Sequence, residues 1–415
     1  MNSAYLPRLV DQQLASALAV AGAVLLEGPR ACGKTWTGTQ SAASEIHLDR
    51  LRPTTLDLVR AEPNSVLAGK RPRLIDEWQL VPAVWNQVRG EIDDHHEPGQ
   101  YILTGSASPI ADSTRHTGAG RFIRLRMYPM SLFESGESDG SVSLLGLLNG
   151  HPVRSNLGTE ETLGDIAAWA CRGGFPAAVT ATNDVGPLIR SYLDAVSHGD
   201  VDTDDGVRRD PIRMERLLFS LARNTASYVA KKTLAADLGG ESPASPKTLD
   251  SYLGLLERVW LAVPQPAWGE RLRSSAQIRR APKWHLADPS LAASALGADP
   301  ETLQAEPGAF GQVFETMVFR DLSVYAQAAD AKVFSYRDNA DREIDAVVVK
   351  ANHWVGFEVK LAATADVVDQ ASRRLLAIAG AMRRPPAALV IVVPTGPSYQ
   401  RDDGVNVVAL TSLGP

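Results

Sequence analysis

The stretch GPRACGKT, Gly28 to Thr35, follows the strand-like AVLLE and precedes a helix-like segment. It satisfies G-x-x-x-x-G-K-[ST], the pattern of a loop whose backbone N–H groups wrap phosphates. The cradle expected is Gly28, Pro29, Arg30, Ala31, Cys32 and Gly33, with Lys34 neutralising the β/γ oxygens and Thr35 offering a hydroxyl to Mg²⁺. That chemistry is ATP binding, with ATP and Mg²⁺ as the cofactors. A second acidic element, RLIDEWQ, places Asp76 and Glu77 after the apolar Leu74 and Ile75. At the carboxyl end of a buried strand, where ligands gather in open α/β sheets, Asp76 would hold Mg²⁺ through water and Glu77 would polarise the attacking water. In YILTGSAS, Thr104 or Ser106 is placed to sense a γ-phosphate, although a capped turn is an equally ordinary use of either. Arg121, just before FIRLR, is read two ways: as an arginine finger reaching nucleotide in its own or a neighbouring subunit, or as a solvated strand-edge arginine. The finger acting in trans would imply a homo-oligomer. Cys32, beside Lys34 at a helix N-terminus, is either a reactive thiol or an inert small residue of a tight loop.

These residues need a scaffold. At 415 residues the chain predicts several domains. Two cysteines cannot build a disulfide framework, which points to the cytoplasm. The apolar run Leu14 to Leu26 is shorter than the ~20 residues a membrane-spanning helix needs, and it reads as a helix followed by a buried strand with no membrane partner. Net charge is −6, yet Val207 to Trp284 holds fourteen Lys/Arg against seven Asp/Glu, a local excess of +7. That middle segment is the expected surface for a polyanion.

Within it, IRMERLLFSLAR, KKTLAADLG and SPKTLDSYLGLLER read as three helices, and VWLAV reads as a strand. Helix, short helix, helix and β wing is a winged helix-turn-helix pattern, which would bring Lys247 and Arg258 near phosphates or base edges. Winged helices also serve as protein-binding modules and ATPase lids, so both uses stay open. DNA is favoured over RNA as the nucleic-acid partner.

The ordered series YLPRLV, GPRACGKT, IDEWQ, ILTGSAS, GRFIRLRMYPMSLFE and GGFP (Gly173 to Pro176) resembles the bacterial and archaeal AAA-type ATPases that carry a C-terminal domain of unknown function. The resemblance covers nearly the whole chain. It implies an αβα nucleotide-binding core in which Lys34, Thr35, Asp76, Glu77 and Arg121 occupy the family's motif positions. Ala31-Cys32 and the His198–Asp200 triplet depart from the usual pattern, where basic residues are commoner.

From Phe310 onward the order helix, strand, strand, strand, helix, strand resembles the core of the PD-(D/E)xK, restriction-endonuclease-like superfamily. Its motif positions fall on Asp345, Glu358 and Lys360, with Glu315 on the preceding helix. Alternation along a strand puts Glu358 and Lys360 on one face while Phe357, Val359 and Leu361 pack the other way. A hairpin would bring Asp345 beside Glu358, so that the carboxylates and the Val359 carbonyl form a hard oxygen site for Mg²⁺, with Lys360 activating water. Gln370 is a lesser candidate. The alternative is that these charges pair with one another across the sheet; two carboxylates left together without a cation would be costly. The expected architecture is therefore multidomain α/β: an AAA-type P-loop module with helical lid over 1–200, a winged helix over 207–270 and a nuclease-like domain over 280–415. The function expected is ATP hydrolysis coupled to nucleic-acid binding and Mg²⁺-dependent cleavage, or else an ATP-switched regulator whose terminal domain binds without cutting.

Overall fold

The computed structural model describes residues 5–105, 118–158, 160–198, 207, 209–270 and 280–415. Two compact units emerge, the first built mainly from the chain up to Tyr128 and the second mainly from the chain beyond that residue.

The first unit is a parallel sheet of β1 (Ala23–Glu27), β2 (Ser44–His47), β3 (Arg73–Asp76), β4 (Tyr101–Gly105) and β5 (Phe122–Arg126), in the order β2-β3-β4-β1-β5. Every residue of β1 is buried because both faces of the sheet are covered. Ala23 and Leu25 enter one core with Val84, Trp85, Val88 and Ile92 of the helix Val84–His95. Val24 and Leu26 enter the opposite core with Val10, Leu14, Ala17 and Leu18, the apolar stripe of the helix Leu9–Leu18. The run Leu14 to Leu26 is thus helix then strand, as its length predicts, and among the described residues no helix is long and apolar enough to cross a membrane.

The second unit contains two further strand pairs and a larger sheet. Its strands are β6 (Val142–Ser143), β7 (Ala262–Gln265), β8 (Lys283–Leu286), β9 (Lys332–Arg337), β10 (Glu343–Lys350), β11 (His353–Val359), β12 (Ala388–Val393), β13 (Tyr399–Gln400), β14 (Asn406–Ala409) and β15 (Leu413–Gly414). The large sheet has the order β13-β14-β12-β11-β10-β9, with antiparallel β9-β10-β11 leading into parallel β11-β12-β14. Helix Ala365–Ala379 covers one face with Val368, Ala371, Leu375 and Ile378, which share a core with Ile344, Val347, Leu389 and Ile391. Three helices, Pro211–Arg223, Lys231–Gly239 and Pro246–Arg258, precede the antiparallel β7-β8 pair.

Two expected boundaries move. Residues 129–198 belong to the second unit and not to the nucleotide-binding core, because β6 pairs in parallel with β15 and the Leu132 amide donates to Asp321 Oδ2 at 3.2 Å. Strand β8 pairs with β7, so the expected divide between 270 and 280 separates two paired strands. The same packing explains two sequence motifs. Met130 donates its amide to Gly174 O at 2.6 Å, and Gly174 donates to Asp288 Oδ2 at 3.0 Å. Asp288 is ion-paired with Arg320 at 3.1 Å, and Arg320 with Asp321 at 2.8 Å, all three being essentially buried. A Cβ on Gly174 would lie 2.1 Å from Met130 O, a backbone atom with nowhere to retreat. The glycines of GGFP are therefore required where MYPMSLFE and the Asp288 loop meet. Gly174→Ala should lower stability by about 2 kcal/mol or more, read as a fall in the thermal or urea midpoint; an unchanged midpoint would contradict this packing.

Candidate nucleotide and carboxylate sites

The parallel strands of the first unit present their carboxyl ends together. In register, Asp76 lies beside Thr104 and His47, and Glu27 beside Gly105 and Arg126. The loop after β1 turns through Ala31 (φ 59°) and Gly33 (φ 105°) into the helix Lys34–Ser41. Gly28 is held to glycine because a Cβ there would lie 2.3 Å from Met127 O. Lys34 is buried, and its Nζ donates to Gly28 O at 3.0 Å and Pro29 O at 2.7 Å, folding over the loop it belongs to. Thr35 Oγ1 donates to Asp76 Oδ1 at 2.9 Å, and Thr104 Oγ1 donates to the same oxygen. His47 Nδ1 sits 2.9 Å from Asp76 Oδ2. Among the described residues, the group of His, Cys, Asp and Glu able to converge on one ion is His47, Asp49 and Asp76, whose ligand atoms lie within 4.8 Å of one another. Glu77, at φ 54°, takes a hydrogen bond from Gln79.

Several expectations change here. Thr104 is fully buried, and its hydroxyl donates to Asp76 and so positions that carboxylate. Ser106 lies outside the described residues. Arg121 precedes β5 at the level of Ala23, the amino end of the sheet, and pairs with Asp93 at 2.7 Å. It is about four strand residues, roughly 13 Å, from the level of Glu27, so it is not a finger for the loop of its own unit. Cys32 is fully buried, which favours the inert reading of its thiol. Its carbonyl accepts from Arg8 Nη1 at 2.8 Å, while Arg8 Nη2 donates to Tyr128 O at 2.8 Å. Sequence reasoning missed this bracing role of Arg8 and that of His47. The signals were a buried arginine's partners far along the chain and one histidine at a strand end, neither distinctive by itself.

In the second unit, β10 and β11 form the predicted hairpin, Ala346 opposite Phe357, and β10 bulges against β9 between Ile344 and Val347. The bulge re-aims Asp345, whose Oδ2 accepts the Val359 amide at 2.8 Å. Glu358 is buried and pairs with Lys360 at 2.8 Å, as their shared face predicts. Gln370 is exposed. Unforeseen is Lys283 of β8. Its side chain is 1% exposed, and its Nζ lies 2.6 Å from Glu315 Oε1, 2.7 Å from Glu343 Oε1 and 3.3 Å from Asp345 Oδ1. The expected metal set of Glu315, Asp345 and Glu358 thus surrounds or neighbours ammonium groups. The sequence signal was Lys283 and His285 on one face of a short strand alternating with Trp284 and Leu286; in the sequence Lys283 is one more charge of the basic middle segment.

Neighbouring groups anchor the same corner. Gln265 Nε2 donates to Phe334 O and Asp345 O, both at 3.0 Å, and Gln265 Oε1 lies 2.9 Å from His285 Nε2. Burial and then the nearby Lys283 hold His285 well below its usual range. Burial, with Asp345 adding to it, pushes Glu315 up to about 8 and Glu358 up to about 7. Burial works against ionisation of Asp345 too, but Lys283 and Lys360 outweigh it and hold its carboxyl below the ordinary range.

Of the basic middle segment, Lys283 is therefore internal, Arg223 pairs with Asp237 at 2.9 Å and Lys231 with Asp250 at 2.7 Å. Lys247 is exposed near the start of the helix Pro246–Arg258 and Arg258 ends it, so eleven residues, about 16 Å of helix, separate them. They do not form one contact point.

Three family matches cover the chain in succession: an AAA domain over residues 21–135, a domain of unknown function (DUF8612) over 163–302 and another (DUF4143) over 310–413. The first unit carries an ATPase-like P-loop domain. Uncharacterized proteins of Mycobacterium bovis and Mycobacterium tuberculosis are each 26% identical over 396 residues, covering 92% of this chain and 82% of theirs. A Walker-type ATPase of Pyrococcus abyssi aligns in structure with a TM-score of 0.43 and 14% identity, over 69% of this chain and 94% of its own.

The raised carboxyl of Glu358 fixes a pH dependence. Between about pH 4.5, the ordinary glutamate value, and about 7 the folded chain holds a proton that the unfolded chain has lost. Its contribution to stability is therefore present below that window and is lost as pH rises through it. Glu358→Gln should flatten the decline of the thermal midpoint across pH 5 to 7.5; a slope identical to the parent's would contradict the assignment.

Proposed function

We propose that the chain is an ATP-hydrolysing P-loop protein whose nucleotide state governs how its second unit grips nucleic acid, DNA in preference to RNA. The observation that carries the ATPase reading is the convergence of Lys34, Thr35 and Asp76 at the carboxyl end of β1 and β3. The residues fit Mg·ATP: the loop 28–33 and Lys34 would hold the phosphates, and Thr35 with Asp76 would hold the ion. Bound there, Mg·ATP supplies the scissile anhydride and the cation that offsets its charge. Thr35, Thr104 and His47 fix the Asp76 carboxylate before any ligand arrives, and Glu77 at the adjoining turn is the proton acceptor for the attacking water. Lys34→Ala should weaken ATP binding and cut hydrolysis by about 100-fold or more, whereas Glu77→Gln should retain binding and lose turnover. Hydrolysis undiminished by both substitutions would end the ATPase reading.

Support for the second half of the proposal is the order of elements. Three helices ahead of the β7-β8 pair fit a winged helix, and β9 to β12 with the Glu358-x-Lys360 pair fit a nuclease-like domain. The involvement of Lys283 with the carboxylates favours binding without cutting. Exposed Lys247 then contributes one phosphate contact. Its replacement by Ala should weaken DNA binding across sequences and reduce the slope of log affinity against log salt by about 0.9. A parent slope of zero would turn the proposal toward a protein partner.

A further inference from the structure

The carboxylates that sequence reasoning gives to a divalent cation already enclose a positive charge. We infer that Lys283 Nζ is the resident cation of the Glu315, Glu343 and Asp345 cluster, so that this corner of the second unit is a closed ion-pair lock and not a metal site. The ammonium lies 2.6 Å from Glu315, 2.7 Å from Glu343 and 3.3 Å from Asp345, three contacts that match its three N–H donors. Glu315 comes from the helix Pro307–Ala328, Glu343 and Asp345 from β10, and Lys283 from β8, so one ammonium joins three elements.

The donors nearest the expected metal position are already engaged. Both oxygens of Asp345 are engaged, Oδ1 by Lys283 and Oδ2 by the Val359 amide at 2.8 Å, and Glu358 Oε1 is engaged by Lys360 at 2.8 Å. Lys360 Nζ also donates to Val359 O at 3.1 Å, the carbonyl expected to be a further ligand. Among the described residues the acidic group whose ligand atoms do converge is His47, Asp49 and Asp76, in the other unit. A divalent ion entering beside Asp345 would meet the Lys283 ammonium at close range, where like charges repel strongly in a dry interior. Nor can the amine swing out: its side chain is 1% exposed, and the neighbouring Gln265 and His285 tie the β7-β8 pair to Asp345 O, Phe334 O and Thr316. Moving the cation out would mean shifting the β7-β8 pair away from β10 and helix Pro307–Ala328. The lock therefore has a mechanical role, adding charge to the Gln265 hydrogen bonds and the Trp268 packing that hold β7-β8 against the large sheet. It also keeps a nuclease-like constellation from recruiting the ion that phosphodiester cleavage would need.

The test counts Mn²⁺ bound to the nucleotide-free, full-length chain by electron paramagnetic resonance. The parent protein and Asp345→Asn should bind the same number of ions, since no ion rests on Asp345. Lys283→Met should bind one ion more than the parent, and the extra ion should vanish in Lys283→Met combined with Asp345→Asn. Loss of one ion in Asp345→Asn, or a folded Lys283→Met that gains none, overturns the inference. Should Lys283→Met fail to fold, the comparison of the parent with Asp345→Asn decides by itself. Any ion bound through Asp76 is common to all four proteins, so failure here leaves the ATPase reading standing.

Discussion

A lysine ammonium taken almost wholly out of water is the constraint on which the second unit depends. Desolvating it costs several kcal/mol, and only carboxylates held in good geometry offset that cost. Glu315, Glu343 and Asp345 meet the requirement, yet each also resists burial, which is why burial pushes Glu315 up to about 8 despite the ammonium beside it. Helix Pro307–Ala328, β8 and β10 are therefore joined through one charged cluster. Asp288, Arg320 and Asp321 repeat the logic deeper in the same unit, where Asp288 and Asp321 also accept the amides of Gly174 and Leu132. The two networks tie Leu132, Gly174, β8, β10 and helix Pro307–Ala328 together within the second unit.

The first unit solves a different problem. Its central strands are buried and apolar, and its convergent polar groups lie at the strand ends, where Asp76 accepts from Thr35 and Thr104 and stands beside His47. Preorganisation of this kind lowers the cost of ordering the carboxylate for any ligand that meets it. Arg8 extends it to the loop itself, tying the Cys32 carbonyl to the Tyr128 carbonyl. The loop is braced from the YLPRLV segment, which gives that short motif a physical reason.

Local pattern made much of this legible. The buried run AVLLE, the glycines of the loop, and the strand-like runs KVFSYR, REIDAVVV and WVGFEVKL each carry their own structural signature; the strands form there, with Lys350 and His353 joining them and β11 ending at Val359, before Lys360. Even the pairing of Glu358 with Lys360 follows from strand periodicity. The boundary at 128 and the partners of Lys283 were not legible, for a shared reason: both are set by contacts between segments far apart in the chain. Nothing local distinguishes a lysine destined for a carboxylate cage 32 to 62 residues away from one destined for solvent. Adjacent buried carboxylates do demand a cation, and here the chain itself supplies it. Arg121 illustrates the same limit, since its side of the sheet is decided by the parallel pairing of β5 with β1.

Anomalous diffraction at the manganese edge, from crystals of the full-length chain grown with excess Mn²⁺ and a non-hydrolysable ATP analogue, tests the account most directly. The prediction is an anomalous peak beside Thr35 and Asp76, with Lys283 Nζ in contact with Glu315, Glu343 and Asp345 and no peak among them. A peak bridging Asp345 and Glu358, with Lys283 displaced, would contradict it.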